Sequence, residues 1–382
     1  MDVNAPRGLL RFFADLEDPR EAQGRRHALL DIVVIAICAV ICGAGGWNDV
    51  RVFAEGHGPW LATFLRLPHG LPSRDTFARV FARLAPDAFE RCFLAWVRAL
   101  AQASAGRLVA VDGKTLRRSF DTAGQKAALH MVSAWCEDNQ TVLGQVVTDV
   151  KSNEITAIPQ LLELLDLDGA VVTTDALGCQ KAIAEKILAG GADYLLQVKG
   201  NQPHLEADLV KLFDECRRND PHAAVCDYVE EADKGHGRRE TRRCWMTTDV
   251  RWVAPWPNLS SCVCVEAVRK VGAEVQCEQR YFISSIEKRD ADRMLQRIRG
   301  HWGIENRLHW CLDVTFGEDQ RRIRQGHAAE NFSRLSRIAL NLLKAAPVKL
   351  KSARSIRARR LAASWDHDYL LSILTYEPQT GA

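Results

Sequence analysis

Three acidic residues stand at positions from which they could bind metal ions for phosphoryl transfer. Asp112 and Asp175 each end an apolar run, residues 108–111 and 169–174, and Glu305 lies in a segment with helical character. Buried strands would hold the two aspartates in place, and carboxylate oxygens are the ligands that Mg²⁺ prefers. Two ions held by shared carboxylates can activate an attacking oxygen and stabilise a leaving one. The three residues therefore predict a metal site, and the repulsion between them predicts dependence on a divalent cation.

Other polar residues near Glu305 are alternatives or additions to this site. His309 and Asp313 follow Glu305 at positions i+4 and i+8, which places all three on one face of a continuous helix. Asp313, Glu318 and Asp319 therefore compete with Glu305 as the third ligand. His309 is a possible phosphate contact, and in that role we expect it to act as a cation, because nearby carboxylates and DNA phosphates would raise its pKa, whereas bound metal ions would oppose that rise. Simple packing of His309 against its helix neighbours is the alternative.

Composition and charge restrict the class of protein. A chain of 382 residues is long for one core, so we expect two or three domains. No signal peptide is recognised. The longest apolar run, residues 32–42, is well short of the ~20 residues that a membrane span needs, so it is predicted to be a buried helix. Twelve cysteines without a C-x₂-C pair argue against structural zinc and favour free thiols in a reducing cytoplasm. The net charge of +3 does not by itself predict a nucleic-acid partner.

The pattern of predicted elements divides the chain into regions. Residues 1–105 are predicted to be helical. Residues 106–202 give three strands, a helix, a strand, a helix and a strand, which is the α/β order of a ribonuclease-H-like core. Residues 203–287 are predicted to form a β-rich insertion, and residues 288–345 to complete the core with helices that include Glu305. Residues 346–382 form a basic C-terminal segment.

Two basic stretches outside the predicted core are candidates for DNA contact. Ser73 can cap a helix on which Arg74, Arg79 and Arg83 lie off the apolar stripe, so they form either a solvated face or a DNA-contacting one. Residues 344–360 contain lysines and arginines but no acidic residue, which is typical of a solvated tail or of a phosphate-binding arm.

Several strings of residues resemble one known family. The chain is similar to the DDE transposases of bacterial insertion sequences, in the branch that includes the H-repeat-associated proteins. The matching strings are residues 70–76, 111–114, 151–155, 174–180, 194–202, 235–238, 301–306, 308–310, 312–314 and 316–319. The resemblance implies a ribonuclease-H-like catalytic domain, a β insertion, and Asp112, Asp175 and Glu305 as the catalytic triad. It also implies two Mg²⁺ ions, which Mn²⁺ can replace.

The chain departs from the wider group of related transposases around the glutamate. That group often has Tyr-x₂-Arg-x₃-Glu-x₆-Lys, and the corresponding residues here are Ile298, His301, Glu305 and Leu312. The glutamate is kept, but the phosphate-holding Arg and Lys are not. Arg299, Arg307 and His309 are candidates to replace them.

The sequence therefore predicts a metal-dependent DNA transposase that cuts the ends of an insertion sequence and joins them to target DNA. Its expected partners are terminal inverted repeats, target DNA and a second copy of the chain in a homodimer, without a membrane, in the cytoplasm at the nucleoid. Trp302 could stack on an unpaired base. One alternative is a ribonuclease-H-like nuclease without strand transfer, and another is a domesticated, non-catalytic DNA-binding protein. The predicted DNA-contacting residues are Lys114, Lys199, Arg238, Arg299, Trp302, Arg307, His309, Arg354 and Arg357.

Overall fold

The computed structural model describes most of the chain. It covers residues 8–100, 107–120, 127–148, 154–218, 226–235, 238–272 and 274–377, without the side chains of Arg218 and Arg238. Parts of two of the strings that resemble the transposase family, residues 151–153 and 236–237, lie outside the described residues. The end of the predicted helical region, beyond residue 100, lies outside them as well.

The N-terminal region is helical, as predicted. The apolar run at residues 32–42 falls in a helix whose side chains are almost all buried, because other helices surround it. In the part of the chain that the structure describes, no helix is long and apolar enough to cross a membrane. Ser73 caps the fourth helix by accepting a hydrogen bond from the N–H of Thr76. The helices are α1 (Leu29–Ile41), α2 (Trp47–Gly56), α3 (Gly58–Leu61), α4 (Arg74–Arg83) and α5 (Pro86–Leu100).

A mixed sheet with helices packed against it forms the centre of the molecule. The predicted order of three strands, helix, strand, helix, strand is confirmed. Strands β1–β3 pair antiparallel, whereas β4 and β5 run parallel to β1, each reached through a helical crossover. The elements are β1 (Leu108–Thr115), β2 (His130–Cys136), β3 (Thr141–Thr148), α6 (Glu154–Glu163), β4 (Val171–Thr174), α7 (Lys181–Ala189) and β5 (Asp193–Val198).

The strands predicted within residues 203–287 continue this sheet. After α8, four long strands form an antiparallel meander, and the last of them pairs antiparallel with β5. The sheet therefore has nine strands in the order β3-β2-β1-β4-β5-β9-β8-β7-β6. The elements are α8 (Pro203–Arg218), β6 (Asp227–Gly235), β7 (Arg238–Thr247), β8 (Ser261–Val271) and β9 (Glu274–Ser284).

Two long helices and an unusual segment between them complete the core. Helix α9 (Ala291–Gly303) continues into two π-helical stretches, Ile304–His309 and Cys311–Thr315, before α10 (Ala328–Ala345). Polar side chains of α10 tie the N-terminal helices to the sheet. Asn331 donates to the carbonyls of Phe81 and Leu84, and Asn341 both donates to and accepts from the backbone of Val142.

The basic C-terminal segment is not a solvated tail where the structure describes it. It contains α11 (Ile356–Trp365) and α12 (His367–Leu374). Arg359 and Arg360 are buried, because their guanidinium groups donate to carbonyls at the C-terminal ends of α10 and α1, which lack partners within their own helices. Both arginines are therefore structural, and only Arg354 and Arg357 of this helix region remain exposed for the predicted contact with DNA.

One prediction about the cysteines is wrong. Cys216, at the end of α8, and Cys226, just before β6, form a disulfide, because the fold brings their Cα atoms to 6.6 Å from each other. The remaining cysteines are free, and most of them are buried, as predicted.

Candidate active site

Two of the three predicted acidic residues lie at the same edge of the sheet. Strands β1 and β4 are parallel neighbours, and Val111 pairs with Thr174. The residues that follow this pair therefore lie side by side, Asp112 within β1 and Asp175 directly after β4, on strands about 4.8 Å from each other. Placing two carboxylates together follows directly from the register of the sheet.

Local structure fixes Asp175 at the strand end. Its Oδ1 atom accepts hydrogen bonds from the N–H of Leu177 at 3.0 Å and of Gly178 at 3.3 Å, capping a short 3₁₀ helix. Gly178 is required for this turn, because a Cβ atom there would lie 2.5 Å from the side chain of Thr174. The turn holds Asp175 beside β1.

Glu305 reaches this edge because α9 packs closely against the sheet. A Cβ atom on Gly300 would collide with the side chain of Leu108, and one on Gly303 would collide with the carboxylate of Glu137. Two glycines one turn apart thus allow the helix to approach β1 and the hairpin that follows β2. Glu305 is exposed, in the first turn of the π-helical stretch.

Hydrogen bonds on both sides of Glu305 fix this helix. His301 Nδ1 lies 2.9 Å from Thr173 Oγ1 on β4, and burial lowers the pKa of His301 to about 4, so the ring is neutral. Arg307 Nη1 pairs with Glu137 Oε1 at 2.7 Å, and the other oxygen of Glu137 accepts from the indole of Trp135 at 2.8 Å. Arg307 thus positions the segment that carries Glu305, in addition to being a candidate phosphate contact.

His309 and Asp313 both lie on the side of the π-helical segment that faces β1, as their spacing predicts. His309 Nδ1 lies 3.4 Å from Asp112 Oδ2, whereas Asp313 pairs with the ammonium group of Lys114. Glu318 and Asp319 also face Lys114, at 3.1 and 3.8 Å. All three acidic competitors of Glu305 for the third-ligand position are therefore engaged by a lysine.

Lys114 belongs to a buried charge network rather than to a free basic surface. Its side chain is only 9% exposed. Glu318, which accepts from Lys114, also pairs with Arg337 at 3.0 Å and accepts from Ser333 at 2.8 Å. Burial would raise the pKa of Glu318, but Arg337, Lys114 and Arg321 outweigh it and hold this pKa far below its ordinary value. These partners give Lys114 a structural role, and its predicted contact with DNA stays a prediction.

The electrostatics of Asp112 indicate crowded negative charge. Burial and the carboxylates of Asp175, Glu305 and Glu154 together raise the pKa of Asp112 to about 7, although the N–H of Gly113 opposes the rise. The other two predicted ligands therefore both act on Asp112, which is the condition under which a bound cation is most stabilising.

In the protein without DNA, His309 is neutral rather than cationic, and its predicted contact with a phosphate stays a prediction. Burial, together with the charges of Arg337 and Lys114, lowers its pKa to about 3. Arg337 lies far from His309 in the sequence and the burial of Lys114 is not visible there, so the neighbouring carboxylates alone suggested a raised pKa. A neutral His309 ring packs between Asp112 and the charge network.

A second buried pair, beneath Asp112, was missed by the sequence analysis. His130 Nε2 lies 2.6 Å from Glu154 Oε1, and His130 Nδ1 lies 2.8 Å from Thr115 Oγ1. A Cβ atom on Gly113, the residue after Asp112, would collide with both the imidazole and the carboxylate. Glu154 belongs to the family string at residues 151–155, which was the available signal, but nothing in its spacing connected it with His130.

The site formed by Asp112, Asp175 and Glu305, called the acidic edge below, suits a hard divalent cation. Asp112, Asp175 and Glu305 supply only carboxylate oxygens, the ligand type of Mg²⁺ and Mn²⁺. Within the described ranges, no three His, Cys, Asp or Glu side chains already converge closely enough to share one ion.

The remaining predicted DNA contacts occupy varied surroundings. Lys199 is exposed directly after β5, at the edge that carries Asp175. Arg299 pairs with Glu231 at 2.6 Å, and Arg280 lies over the ring of Trp302, 4.8 Å from its centroid. Arg238 lies in β7, but its side chain is outside the described part of the chain.

Comparison with known proteins identifies relatives over nearly the whole chain. The family model for the transposase DDE domain matches residues 103–342, and the model of a DDE_Tnp_1-associated domain matches residues 10–97. The chain is 39% identical to the H repeat-associated putative transposase YhhI of Escherichia coli K12, over 96% of this chain and 97% of that protein. It is 40% identical to the putative transposase YncI of Escherichia coli O157:H7, over 88% and 87% of the two chains. An uncharacterized protein in the dhlA 3′ region of Xanthobacter autotrophicus is 44% identical over 72% of this chain and 93% of its own.

Proposed function

Because this chain belongs to the DDE transposase family, we propose that it cuts the ends of an insertion sequence and joins them to target DNA by metal-dependent phosphoryl transfer. The catalytic core would be ribonuclease-H-like. The observation that carries the proposal is the placement of Asp112 within β1 beside Asp175, which directly follows the adjacent parallel strand β4, with Glu305 on the π-helical stretch that continues α9.

In this proposal Asp112, Asp175 and Glu305 hold two Mg²⁺ ions, and Mn²⁺ can replace them. The mutual repulsion that raises the pKa of Asp112 supports this assignment, because cations would relieve it. The chemistry supplied by the bound ions is activation of the attacking oxygen and stabilisation of the leaving oxygen.

The residues of the chain would orient both partners of the reaction. The sheet fixes Asp112 and the 3₁₀ turn fixes Asp175, while His301 and Arg307 hold the segment of Glu305 in place. At the same edge, Lys199 would meet a DNA phosphate. Water would first attack at the element ends, and the freed 3′-hydroxyl would then attack target DNA in line at the same site. A homodimer would bring the two terminal inverted repeats together.

The test uses a plasmid that carries the DNA flanking the gene. Asp112→Asn, Asp175→Asn and Glu305→Gln should each abolish Mg²⁺-dependent nicking while the urea midpoint and DNA affinity stay near those of the wild type. The exposed Asp368 on α12 provides a matched control, and Asp368→Asn should keep full activity. An Asp175→Asn protein that still cuts at near the wild-type rate contradicts the assignment.

The products of the same assay separate the alternatives. Joining of the cut ends to a second plasmid supports a transposase, whereas nicks without joined products indicate a nuclease. A wild-type protein that binds DNA but does not cut with either Mg²⁺ or Mn²⁺ indicates a domesticated binding protein.

A further inference from the structure

A large basic cavity lies in the N-terminal helical region, formed entirely by residues outside the sheet. Its volume is about 720 Å³, within the range of ligand sites. One wall comes from the segment before α1 and includes Arg20 and Arg26. The opposite wall comes from the loop before α4 and from α4 itself, including Arg79 and Arg83. Nothing in the chemistry proposed above uses this cavity.

The charge of the lining is positive and largely uncompensated. Asp18 neutralises Arg20 through a two-pronged ion pair, which also fixes that wall. Among the described residues, Arg26, Arg79 and Arg83 form no ion pair with a carboxylate, and Glu21 is the acidic residue of the lining. Three guanidinium groups against one carboxylate leave an excess of about two positive charges facing the cavity.

A histidine in the lining responds to this positive potential. Burial lowers the pKa of His27, and the charges of His69, Arg20 and Arg26 lower it further. Three cationic or titratable groups therefore act on one ring from different positions. The cavity disfavours additional positive charge, which is the counterpart of favouring an anion.

The geometry of α4 suits a linear polyanion. Arg79 and Arg83 are exposed and stand one helical turn, about 6 Å, from each other on the cavity side of α4. Ser73 and Thr76 place hydroxyl groups in the lining at the N-terminal end of the same helix. Guanidinium forks and hydroxyl groups are common partners of DNA phosphates. An extended row of donors matches successive phosphates better than it matches one small anion.

We propose that this cavity binds the sugar-phosphate backbone of DNA, with Arg79 and Arg83 as the main phosphate contacts. The inference rests on the proposed function, because it takes DNA as the polyanion. It assigns a nucleic-acid contact to the N-terminal region that is separate from the acidic edge of the sheet.

The test measures the affinity for a labelled mixed-sequence DNA duplex as a function of salt, because backbone contacts do not depend on sequence. The variant is Arg79→Ala/Arg83→Ala, which should leave folding intact since both side chains are exposed on a helix. Each lost phosphate contact lowers the slope of log K against log salt by about 0.9, so the double variant should lose about 1.8. When salt rises fourfold, the wild type should then lose roughly tenfold more affinity than the variant.

Two further variants sharpen the result. Arg79→Lys/Arg83→Lys keeps the charges and should keep most of the slope. Arg91→Ala removes an exposed arginine of α5 that does not line the cavity, and should change neither slope nor affinity. An Arg79→Ala/Arg83→Ala protein with a wild-type slope overturns the proposal, and so does an equal loss of slope in Arg91→Ala.

A second measurement distinguishes DNA from a small phosphorylated ligand. If inorganic phosphate raises the melting temperature of the wild type but not of the double variant, while DNA affinity is the same in both, the cavity binds a small anion and the proposal is wrong. Failure of the proposed function would appear elsewhere. In that case the wild type neither nicks nor joins DNA, yet the double variant still loses slope relative to the wild type.

Discussion

Lys114→Met tests whether the buried charge network supports the acidic edge. The substitution keeps an unbranched side chain but removes the ammonium group from Asp313, Glu318 and Asp319. Removing one partner of a buried ion pair costs about 3–5 kcal/mol, because the other charge stays buried without compensation. Glu318 would still pair with Arg337 and accept from Ser333. We therefore expect the free energy of unfolding to fall by about 3 kcal/mol, at the lower end of that range.

The assay is urea unfolding at pH 7, with the free energy taken from the midpoint and slope. Lys199→Met is the matched control, because Lys199 is exposed and such surface changes usually stay within about 0.5 kcal/mol. A cycle with Glu318→Leu adds a second check. The variant lacking both charges should be less destabilised than the sum of the two single changes. If Lys114→Met lies within about 1 kcal/mol of the wild type and instead flattens the salt dependence of DNA binding, Lys114 is a phosphate contact and the structural interpretation is wrong.

Two further predictions follow from buried groups around the site. The pKa of Glu318 in the folded protein lies below its unfolded value, so its ion pairs contribute stability above about pH 4.3 that is lost as pH falls. Compared with the wild type, Glu318→Gln should therefore lose most stability near pH 7 and progressively less toward pH 3. A difference from the wild type that does not change with pH would contradict this. Gly113→Ala should lower the free energy of unfolding by about 1–3 kcal/mol, because the new Cβ collides with His130 and Glu154. Gly200→Ala is the control, because a Cβ atom on Gly200 would meet no other atom within 4 Å. Equal effects of the two changes would refute the steric argument.

The placement of Asp112 and Asp175 could be predicted because it depends on local pattern and sheet topology. An apolar β-branched run ends at each aspartate, and the order of strands and helices makes the two runs parallel neighbours. Parallel neighbours in register place these two positions side by side, so no side-chain detail is needed, although β1 continues past Asp112 to Thr115 because it also pairs with β2. The buried helix at residues 32–42 was predictable for a similar reason, since its length and lack of charge leave few alternatives.

The partners of charged residues could not be predicted, because they depend on contacts between distant parts of the chain. Lys114 meets Asp313 across 199 positions, and Arg360 reaches Val40 across 320. A run of basic residues looks the same in the sequence whether its side chains bind DNA phosphates or donate to carbonyls at the end of a buried helix. The π-helical geometry of residues 304–309 was equally hidden, because the spacing of these residues is also that of a regular helix.

The distribution of paired and crowded charge gives a physical reason to prefer Glu305 as the third ligand. Asp313, Glu318 and Asp319 lie close in sequence to Glu305, but cations of the chain already balance them. Glu305 forms no ion pair among the described residues, and its charge adds to the crowding at Asp112. A network whose charges are matched internally needs no ion. At the acidic edge, by contrast, the carboxylates repel one another. A divalent cation would gain most there, which supports assigning the metal to Asp112, Asp175 and Glu305.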